Sequence, residues 1–182
     1  MKSIADERLK FTHLTHYYSD YVFKFIKNNC ADLNKNMSVL DVGCGHGRHL
    51  NLFYNLGFRK LTGIDIVNRS NLSRRYNYLK FDIREEFTRE PFLQNKFDIV
   101  LCNFVLMFIN PEYQIKVIDQ LFEVTNKYLL LETREIGGNY SYPCYIQNFY
   151  YYMQTKKEFE IIYYNKNKER LTIKRKWQQT DI

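Results

Sequence analysis

Short apolar runs alternate with helical hydrophobic patterns along most of the chain. Runs bounded by polar or turn residues are typical of buried strands, and apolar residues spaced three and four apart predict amphipathic helices. Strands are predicted at Ser38–Val42, Lys60–Ile64, Phe97–Cys102 and Tyr128–Glu132, with a further strand leading to Asp82. Helices are predicted at Phe11–Asn29, from the glycines after Val42 to Leu56, at Asn71–Tyr76, at Tyr113–Asn126 and at Ile146–Lys156.

This order of elements predicts the fold. Strands that alternate with helices form a mostly parallel sheet through right-handed crossovers. The last two apolar runs, Phe159–Tyr164 and Arg170–Lys174, are separated by a short polar segment and predict an antiparallel hairpin. We therefore expect an α/β fold with a doubly wound, mostly parallel seven-stranded sheet and a C-terminal antiparallel hairpin. The 182 residues fit one domain, with residues 1–37 as an N-terminal helical cap over the ligand end and residues 38–182 as the core.

The first strand runs into a glycine triplet, in the segment Val39-Leu40-Asp41-Val42-Gly43-Cys44-Gly45-His46-Gly47-Arg48. Such a turn lets the backbone pass close to a ligand. A dinucleotide fingerprint needs a further glycine where Arg48 stands, and no Gly-Lys-Ser/Thr follows to make a P-loop. Asp41 would repel a pyrophosphate and attract a cation. The segment therefore favours S-adenosylmethionine, whose ammonium and sulfonium are positive.

With these residues the chain resembles the class I S-adenosylmethionine-dependent methyltransferases, which have a Rossmann-like fold. Their motif D-x-G-x-G-x-G is matched by Asp41, Gly43, Gly45 and Gly47. The resemblance implies that Asp65 binds the ribose hydroxyls, that Asp82 lies near the adenine amino group, and that Asn103 lies beside the methyl donor. The implied donor-binding residues are Asp41, Gly43, Cys44, Gly45, Asp65, Ile66, Asp82, Ile83, Asn103 and Phe104.

Catalytic residues are harder to identify, because methyl transfer mainly needs alignment and exclusion of water. The stretch Asn103-Phe104-Val105-Leu106 lacks the Asn/Asp-Pro-Pro-Tyr/Phe segment of amino methylases that act on DNA bases. Cys102 is not followed by proline, and we expect it to be packed within its strand. The remaining candidates are Asn103, His16 and Tyr17.

Composition bears on partners and location. The formal net charge is +7, and six cations of the hairpin segment, Lys166, Lys168, Arg170, Lys174, Arg175 and Lys176, are opposed there by Glu169 alone. Such a stretch can contact nucleic-acid phosphates or can simply keep a sheet edge soluble, and the second interpretation is slightly favoured. The four cysteines are too widely spaced for a metal site or a disulfide scaffold. Because no membrane-length apolar stretch or secretory signal is present, we expect a cytoplasmic protein without a membrane partner.

Three functions stay open from the sequence. The first is a methyltransferase for a small molecule or an undetermined oxygen or nitrogen acceptor. The second is a nucleic-acid methyltransferase, which the charge favours and the missing segment after Asn103 disfavours. The third is a donor-binding subunit without catalysis. No metal is expected.

Overall fold

The computed structural model describes residues 18–67, 74–135, 137–139, 144–145 and 147–176. Its strands form one sheet in the order β3-β2-β1-β4-β5-β7-β6. They are β1 (Ser38–Val42), β2 (Lys60–Asp65), β3 (Asn77–Lys80), β4 (Phe97–Asn103), β5 (Thr125–Glu132), β6 (Phe159–Asn165) and β7 (Arg170–Arg175). The pairs among β1 to β5 are parallel, and β7 is antiparallel to both of its neighbours. The predicted fold class is confirmed.

Helices cover both faces of this sheet. They are α1 (Asp20–Asn28), α2 (Arg48–Asn55), α3 (Pro111–Val124) and the short α4 (Tyr150–Gln154). Side chains of α1 and α2 pack on one face with alternate strand residues such as Tyr128 and Leu130. Side chains of α3 and α4 pack on the other face with Leu129 and Leu131. Successive strand residues point to opposite faces, so a strand covered on both sides is apolar throughout.

The N-terminal helix differs from its prediction. It begins at Asp20, where the Ser19 side chain accepts a hydrogen bond from the Tyr21 N–H, and residues 11–17 of the predicted helix lie outside the described residues. We expected it to lie over the ligand end of the sheet as a cap. Its described part packs on the sheet face, where Phe25 makes an edge contact with Tyr128 at a ring distance of 5.1 Å, and its start lies beside His49. The cap formed by residues 1–37 stays a prediction, because residues 1–17 lie outside the described residues. Tyr21, Val22 and Phe25 of this helix are buried against the sheet.

Three other helix predictions need correction. Of the helix predicted at Ile146–Lys156, Ile146 lies outside the described residues, and among residues 147–156 the helix is limited to Tyr150–Gln154. Just before it, the Asn148 side chain accepts from the Tyr150 N–H. Of the segment Asn71–Tyr76, residues 74–76 form turns and a bend, while residues 71–73 lie outside the described residues. The helix predicted to reach Asn126 ends at Val124, because Thr125 already begins β5.

The parallel strands bring their carboxyl ends to one edge of the sheet. Gly43 follows the end of β1, Asp65 ends β2, Asn103 ends β4 and Glu132 ends β5. In open α/β sheets, ligands bind outside these ends at the point where the strand order reverses, which lies here between β1 and β4. Across the described ranges, no helix has the length and apolar character that a membrane crossing would require.

Candidate functional site

The glycine loop is fastened to the neighbouring strand. The N–H groups of Gly43 and Cys44 both donate to the carbonyl oxygen of Ile64, at 2.8 and 3.0 Å. The Gly45 N–H donates to Oδ2 of Asp65 at 2.8 Å. The loop therefore has a fixed conformation before any ligand binds, which reduces the ordering cost of binding.

The three glycines of the loop have different physical roles. All adopt positive φ, at +68° for Gly43, +55° for Gly45 and +70° for Gly47. A Cβ at Gly43 would overlap the Val105 side chain, and one at Gly47 would overlap the Tyr76 phenol. A Cβ at Gly45 would meet no heavy atom of the described residues within 4 Å. The space above Gly45 is thus open for a ligand, whereas the other two glycines are required by packing.

Two buried acceptor oxygens at this edge have no hydrogen-bond partner among the described residues. They are Oδ2 of Asp41, a residue that is 2% exposed, and Oδ1 of Asn103, which is 5% exposed. The residues belong to the neighbouring strands β1 and β4. Burying an acceptor without a partner costs about 1–3 kcal/mol, so native proteins usually satisfy such groups. A ligand with a charged donor group is the natural partner for both oxygens.

His49 links Asp41 to the start of α1. Its Nε2 accepts a hydrogen bond from the Ser19 N–H at 3.2 Å, and its Nδ1 lies 3.6 Å from Oδ2 of Asp41. The bond at Nε2 leaves the proton on Nδ1, where it faces the carboxylate. The ring is buried, at 3% exposure. His49 therefore orients Asp41 without fully satisfying it.

Asn103 belongs to a second polar network. Its Nδ2 donates to Oε2 of Glu132 at 3.0 Å, while Nε of Arg170 donates to Oε1 of the same carboxylate at 2.6 Å. Arg170 also donates from Nη2 to Asp20 at 2.8 Å. Burial disfavours the charge on Arg170, but Glu132 and Asp20 raise its pKa above the usual value. Because the Asn103 Nδ2 is bound to Glu132, the unpaired Oδ1 of the same amide points away from that carboxylate.

The predicted ribose and adenine acids have partners of their own. Asp65 is half-buried and accepts from Gly45 and, through Oδ1, from the Val67 N–H at 3.0 Å. Asp82 accepts from Nε of Arg84 at 2.9 and 3.0 Å. Burial acts to raise the pKa of Asp82, but the hydrogen bonds from Arg84 hold this pKa below its ordinary value. Both carboxylates retain acceptor positions, since each oxygen has two lone pairs.

The two isoleucines of the predicted site differ in exposure. Ile66 is 43% exposed beside Asp65, whereas Ile83 is 5% exposed and packs in the core. Ile83 can therefore contact a ligand through its backbone only. Cys44 is likewise buried, with its sulfur packed against Gly63 of β2.

Phe104 occupies an unusual backbone position at the end of β4. Its φ is +59°, and its N–H donates to the Glu132 carbonyl at 2.6 Å. The guanidinium carbons of Arg48 and Arg134 lie 5.6 and 5.3 Å from its ring centroid. Desolvation lowers the pKa of Arg48, although the negative charges of Asp41 and Glu132 act to raise this pKa. A backbone conformation with positive φ is strained for a bulky residue, and such strained residues cluster at functional sites.

Other predicted candidates do not join this site. His16 and Tyr17 lie outside the described residues. Cys102 is packed within β4 as expected, and burial raises the pKa of its thiol well above the usual range. Within the part of the chain that the structure describes, no three His, Cys, Asp or Glu side chains converge as a metal site would require.

The role predicted for Glu169 in the basic hairpin needs correction. Glu169 does not balance the positive charges of the hairpin at the surface, because its side chain is fully buried and accepts a hydrogen bond from the Phe149 N–H. Burial also raises the pKa of the Glu169 carboxyl. Arg170 is held by Glu132, Lys174 donates to Asp32 at 2.8 Å, and Arg175 donates to the Thr125 carbonyl at 2.8 Å. Lys176 donates to the Lys157 carbonyl at 2.9 Å. Four of the six cations therefore serve contacts within the protein.

A family model described as a methyltransferase domain matches residues 14–167. The chain belongs to this methyltransferase family. The match covers most of the chain, including the glycine loop and the strands that carry Asp41, Asp65, Asn103 and Glu132. The resemblance to class I methyltransferases drawn from the sequence is confirmed, as is the prediction of a methyltransferase enzyme.

Solved structures agree on the fold. Magnesium protoporphyrin IX methyltransferase from Synechocystis PCC 6803, crystallised with bound SAM, has a TM-score of 0.65 at 17% identity, covering 97% of this chain and 86% of that one. Burkholderia thailandensis 1,6-didemethyltoxoflavin-N1-methyltransferase, with 1,6-didemethyltoxoflavin and S-adenosylhomocysteine, has a TM-score of 0.63 at 16% identity, covering 86% and 78%. A SAM-dependent methyltransferase from Archaeoglobus fulgidus has a TM-score of 0.61 at 15% identity, covering 85% and 93%. A search of curated protein sequences found no match.

Several residues of this candidate site were not predicted from the sequence. His49 and Arg48 stand directly after the glycines, and their position beside Asp41 and Phe104 follows from the turn of the chain into α2. Arg170 had no local signal, since its pairing with Glu132 requires β7 to lie beside β5. Only the strand order could have revealed it.

Proposed function

We propose that the protein binds S-adenosylmethionine at the carboxyl ends of β1, β2 and β4 and transfers its methyl group to an oxygen or nitrogen atom of a small molecule. The residues proposed to contact the donor are Asp41, Gly43, Cys44, Gly45, Asp65, Ile66, Asp82, Ile83 (through its backbone), Asn103 and Phe104.

The observation that carries this proposal is the pair of unpartnered buried oxygens. Oδ2 of Asp41 and Oδ1 of Asn103 are both buried acceptors on the neighbouring strands β1 and β4, at the edge of the sheet where the glycine loop leaves β1. The space above Gly45 in that loop is open. The ammonium of the donor's methionine part offers three N–H groups, and a hydrogen bond from a charged donor contributes about 1.5–3 kcal/mol. A nucleotide phosphate offers only acceptors and would leave both oxygens unsatisfied.

The other half of the donor fits the acids at the ends of β2 and β3. Asp65 holds the Gly45 N–H with one oxygen and still has acceptor positions for the two ribose hydroxyls. A single carboxylate can thus set the loop conformation and recognise the ribose. Asp82 is proposed to accept from the adenine amino group while Arg84 keeps it ionised.

Bound S-adenosylmethionine supplies an electrophilic methyl group on a positively charged sulfur. The task of the chain is then to orient this group towards an acceptor and to exclude water. This task is assigned to Asn103 and Phe104 at the end of β4, where the guanidinium carbons of Arg48 and Arg134 lie 5.6 and 5.3 Å from the Phe104 ring centroid. No general base is assigned.

A small acceptor is favoured over a nucleic acid by the internal use of the basic hairpin. Arg170, Lys174 and Arg175 are held by partners within the protein, so a phosphate contact would have to break existing bonds. The Synechocystis and Burkholderia neighbours, named for small-molecule substrates, support the same choice.

The donor site is tested by calorimetry with S-adenosylmethionine and S-adenosylhomocysteine. We expect dissociation constants in the micromolar range, about −8 kcal/mol. Asp41→Asn and Asp65→Asn should each weaken binding by about tenfold or more, because each removes a charge-assisted hydrogen bond. Asp98→Asn is the matched control: this acid at the start of β4 binds Ser38 and Asn126, and donor affinity should not change. Unaltered binding in both site variants would refute the assignment.

Turnover is tested by incubating the protein and labelled donor with pools of metabolites, RNA, DNA and proteins. Incorporation into a metabolite supports the proposal, and incorporation into nucleic acid replaces it with that activity. Donor binding without incorporation in any pool would favour a non-catalytic donor-binding subunit.

A further inference from the structure

Glu132 at the end of β5 is a buried carboxylate that is bound on two sides. The register of β4 and β5 places it opposite Asn103, and its side chain is 1% exposed. Its Oε2 accepts from Nδ2 of Asn103 at 3.0 Å, and its Oε1 accepts from Nε of Arg170 at 2.6 Å. The Glu132 carbonyl oxygen also accepts from the Phe104 N–H at 2.6 Å. Glu132 therefore contacts both the backbone and the side-chain amide at the end of β4.

The order of donors and acceptors along these contacts is determined by chemistry. An arginine side chain can only donate hydrogen bonds, and an ionised carboxylate can only accept them. Arg170 is itself held from the other side by Oδ1 of Asp20, at 2.8 Å. The Asn103 amide must then turn its NH2 group towards Glu132, because two acceptor oxygens would repel each other there. Its Oδ1 is consequently the atom that Asn103 presents on the opposite side.

This orientation sets the charge that the site prefers. Oδ1 of Asn103 is buried without a hydrogen-bond partner among the described residues, as is Oδ2 of Asp41 on the neighbouring strand. If the amide turned over, its NH2 group would take the place of this oxygen. An N–H group that faces a cation gives repulsion in place of a hydrogen bond. The carboxylate of Glu132 thus decides whether Asn103 attracts or repels a positively charged group.

We propose that Glu132, held by Arg170, is a positioning residue that makes the donor site selective for a ligand with an ammonium group, because it fixes the orientation of the Asn103 amide. This inference rests on the proposed function and adds to it a residue that acts through another. A glutamine has the shape of Glu132 but the wrong polarity. Its oxygen would pair with Arg170, its NH2 group would face Asn103, and the amide would have to turn its oxygen towards that group.

The test compares two ligands of the full chain by calorimetry. They are S-adenosylhomocysteine and its deamino analogue, in which hydrogen replaces the amino group. We expect the wild type to bind S-adenosylhomocysteine more tightly by about tenfold or more, because the analogue cannot donate a charge-assisted hydrogen bond. Glu132→Gln should weaken binding of S-adenosylhomocysteine by about tenfold or more and binding of the analogue by less than about threefold. The ratio of the two affinities should fall accordingly.

The double variant Asn103→Asp with Glu132→Gln separates orientation from structural support. It preserves the net charge and the shapes of both side chains. The introduced amide would donate to one oxygen of the introduced carboxylate and leave the other oxygen as an acceptor for the ligand. We expect the affinity for S-adenosylhomocysteine and the preference over the deamino analogue to return close to those of the wild type. A purely structural role of Glu132 gives no reason for such a recovery.

Glu169→Gln is the matched control variant, since Glu169 is also a fully buried glutamate but binds the Phe149 N–H instead of Asn103. We expect its ratio of affinities to equal that of the wild type. Circular dichroism verifies that each variant folds, and if Glu132→Gln does not, the wild type and the double variant decide. The inference is overturned by a wild type that does not prefer the amino group, by an unchanged ratio in folded Glu132→Gln, or by a folded double variant that lacks the preference.

A third ligand, 5′-methylthioadenosine, lacks the whole amino-acid part and separates this failure from failure of the proposed function. If the wild type binds it and S-adenosylhomocysteine but gives one of the contrary results, the donor site stands and the role of Glu132 is refuted. If the wild type binds none of the three ligands, the proposed function itself fails.

Discussion

The ion pair between Arg170 and Glu132 gives the sharpest prediction of stability. Their side chains are 11% and 1% exposed, and Nε of Arg170 lies 2.6 Å from Oε1 of Glu132. The two residues face each other across the antiparallel pair β5–β7. Replacing Arg170 by Met would keep much of the side-chain volume but leave a buried carboxylate whose remaining side-chain hydrogen bond, among the described residues, is the one from the Asn103 amide.

The expected cost follows from this burial. Removing one member of a buried pair usually destabilises a protein by about 3–5 kcal/mol, because the other charge loses its compensation. We therefore expect Arg170→Met to lower the free energy of unfolding by that amount in urea titrations. Lys24→Met is the matched control, since Lys24 pairs with Asp20 at 3.5 Å on the surface, with side chains 69% and 57% exposed. An exposed pair contributes about 0–1 kcal/mol, so this variant should remain close to the wild type.

The double variant Glu132→Gln with Arg170→Met separates pairing from packing. Removing both charges should restore part of the stability lost in Arg170→Met, because no buried charge then remains uncompensated. A loss below about 1 kcal/mol in Arg170→Met, in the range of exposed ion pairs, would refute the reasoning. Strictly additive losses in the double variant would also refute it.

Three further predictions concern the loop, acid stability and the basic hairpin. Gly43→Ala and Gly45→Ala should each cost about 1–2 kcal/mol for their positive φ, and Gly43→Ala should lose more in urea titrations because its Cβ overlaps Val105; equal losses would contradict this. Hydrogen bonds from Lys174 and Tyr128 lower the pKa of Asp32 from its ordinary value of 3.8 to about 2. The ionised Asp32 should therefore stabilise the fold at pH values above 3.8. The stability gap between the wild type and Asp32→Asn should therefore close as the pH falls from about 4 to about 2; a gap that persists at the lower pH would argue against the pairing. Fluorescence anisotropy with short RNA and DNA should show little salt-dependent binding, whereas affinity that falls with a slope of about −0.7 to −0.9 per phosphate would restore the nucleic-acid alternative.

Much of the fold was predictable from local patterns. The run Val39–Val42 and the glycines after it specify a buried strand and a sharp turn, because apolar periodicity and positive φ are properties of neighbouring residues. The acids Asp41 and Asp65 and the amide Asn103 were placed at strand ends for the same reason. The parallel order of the strands then brought them to one edge of the sheet.

Only the tertiary structure decided which polar groups pair. The sequence predicted a terminal hairpin but not that its second strand, β7, would lie beside β5, and this placement puts Arg170 opposite Glu132. It also turned much of an apparently basic surface into internal contacts, with Lys174 bound to Asp32. The same holds for His49 between Ser19 and Asp41, and for Arg48 and Arg134 on Phe104. These pairs join residues far apart in the chain, and local periodicity carries no information about such contacts, because they depend on strand order and on the path of each helix across the sheet.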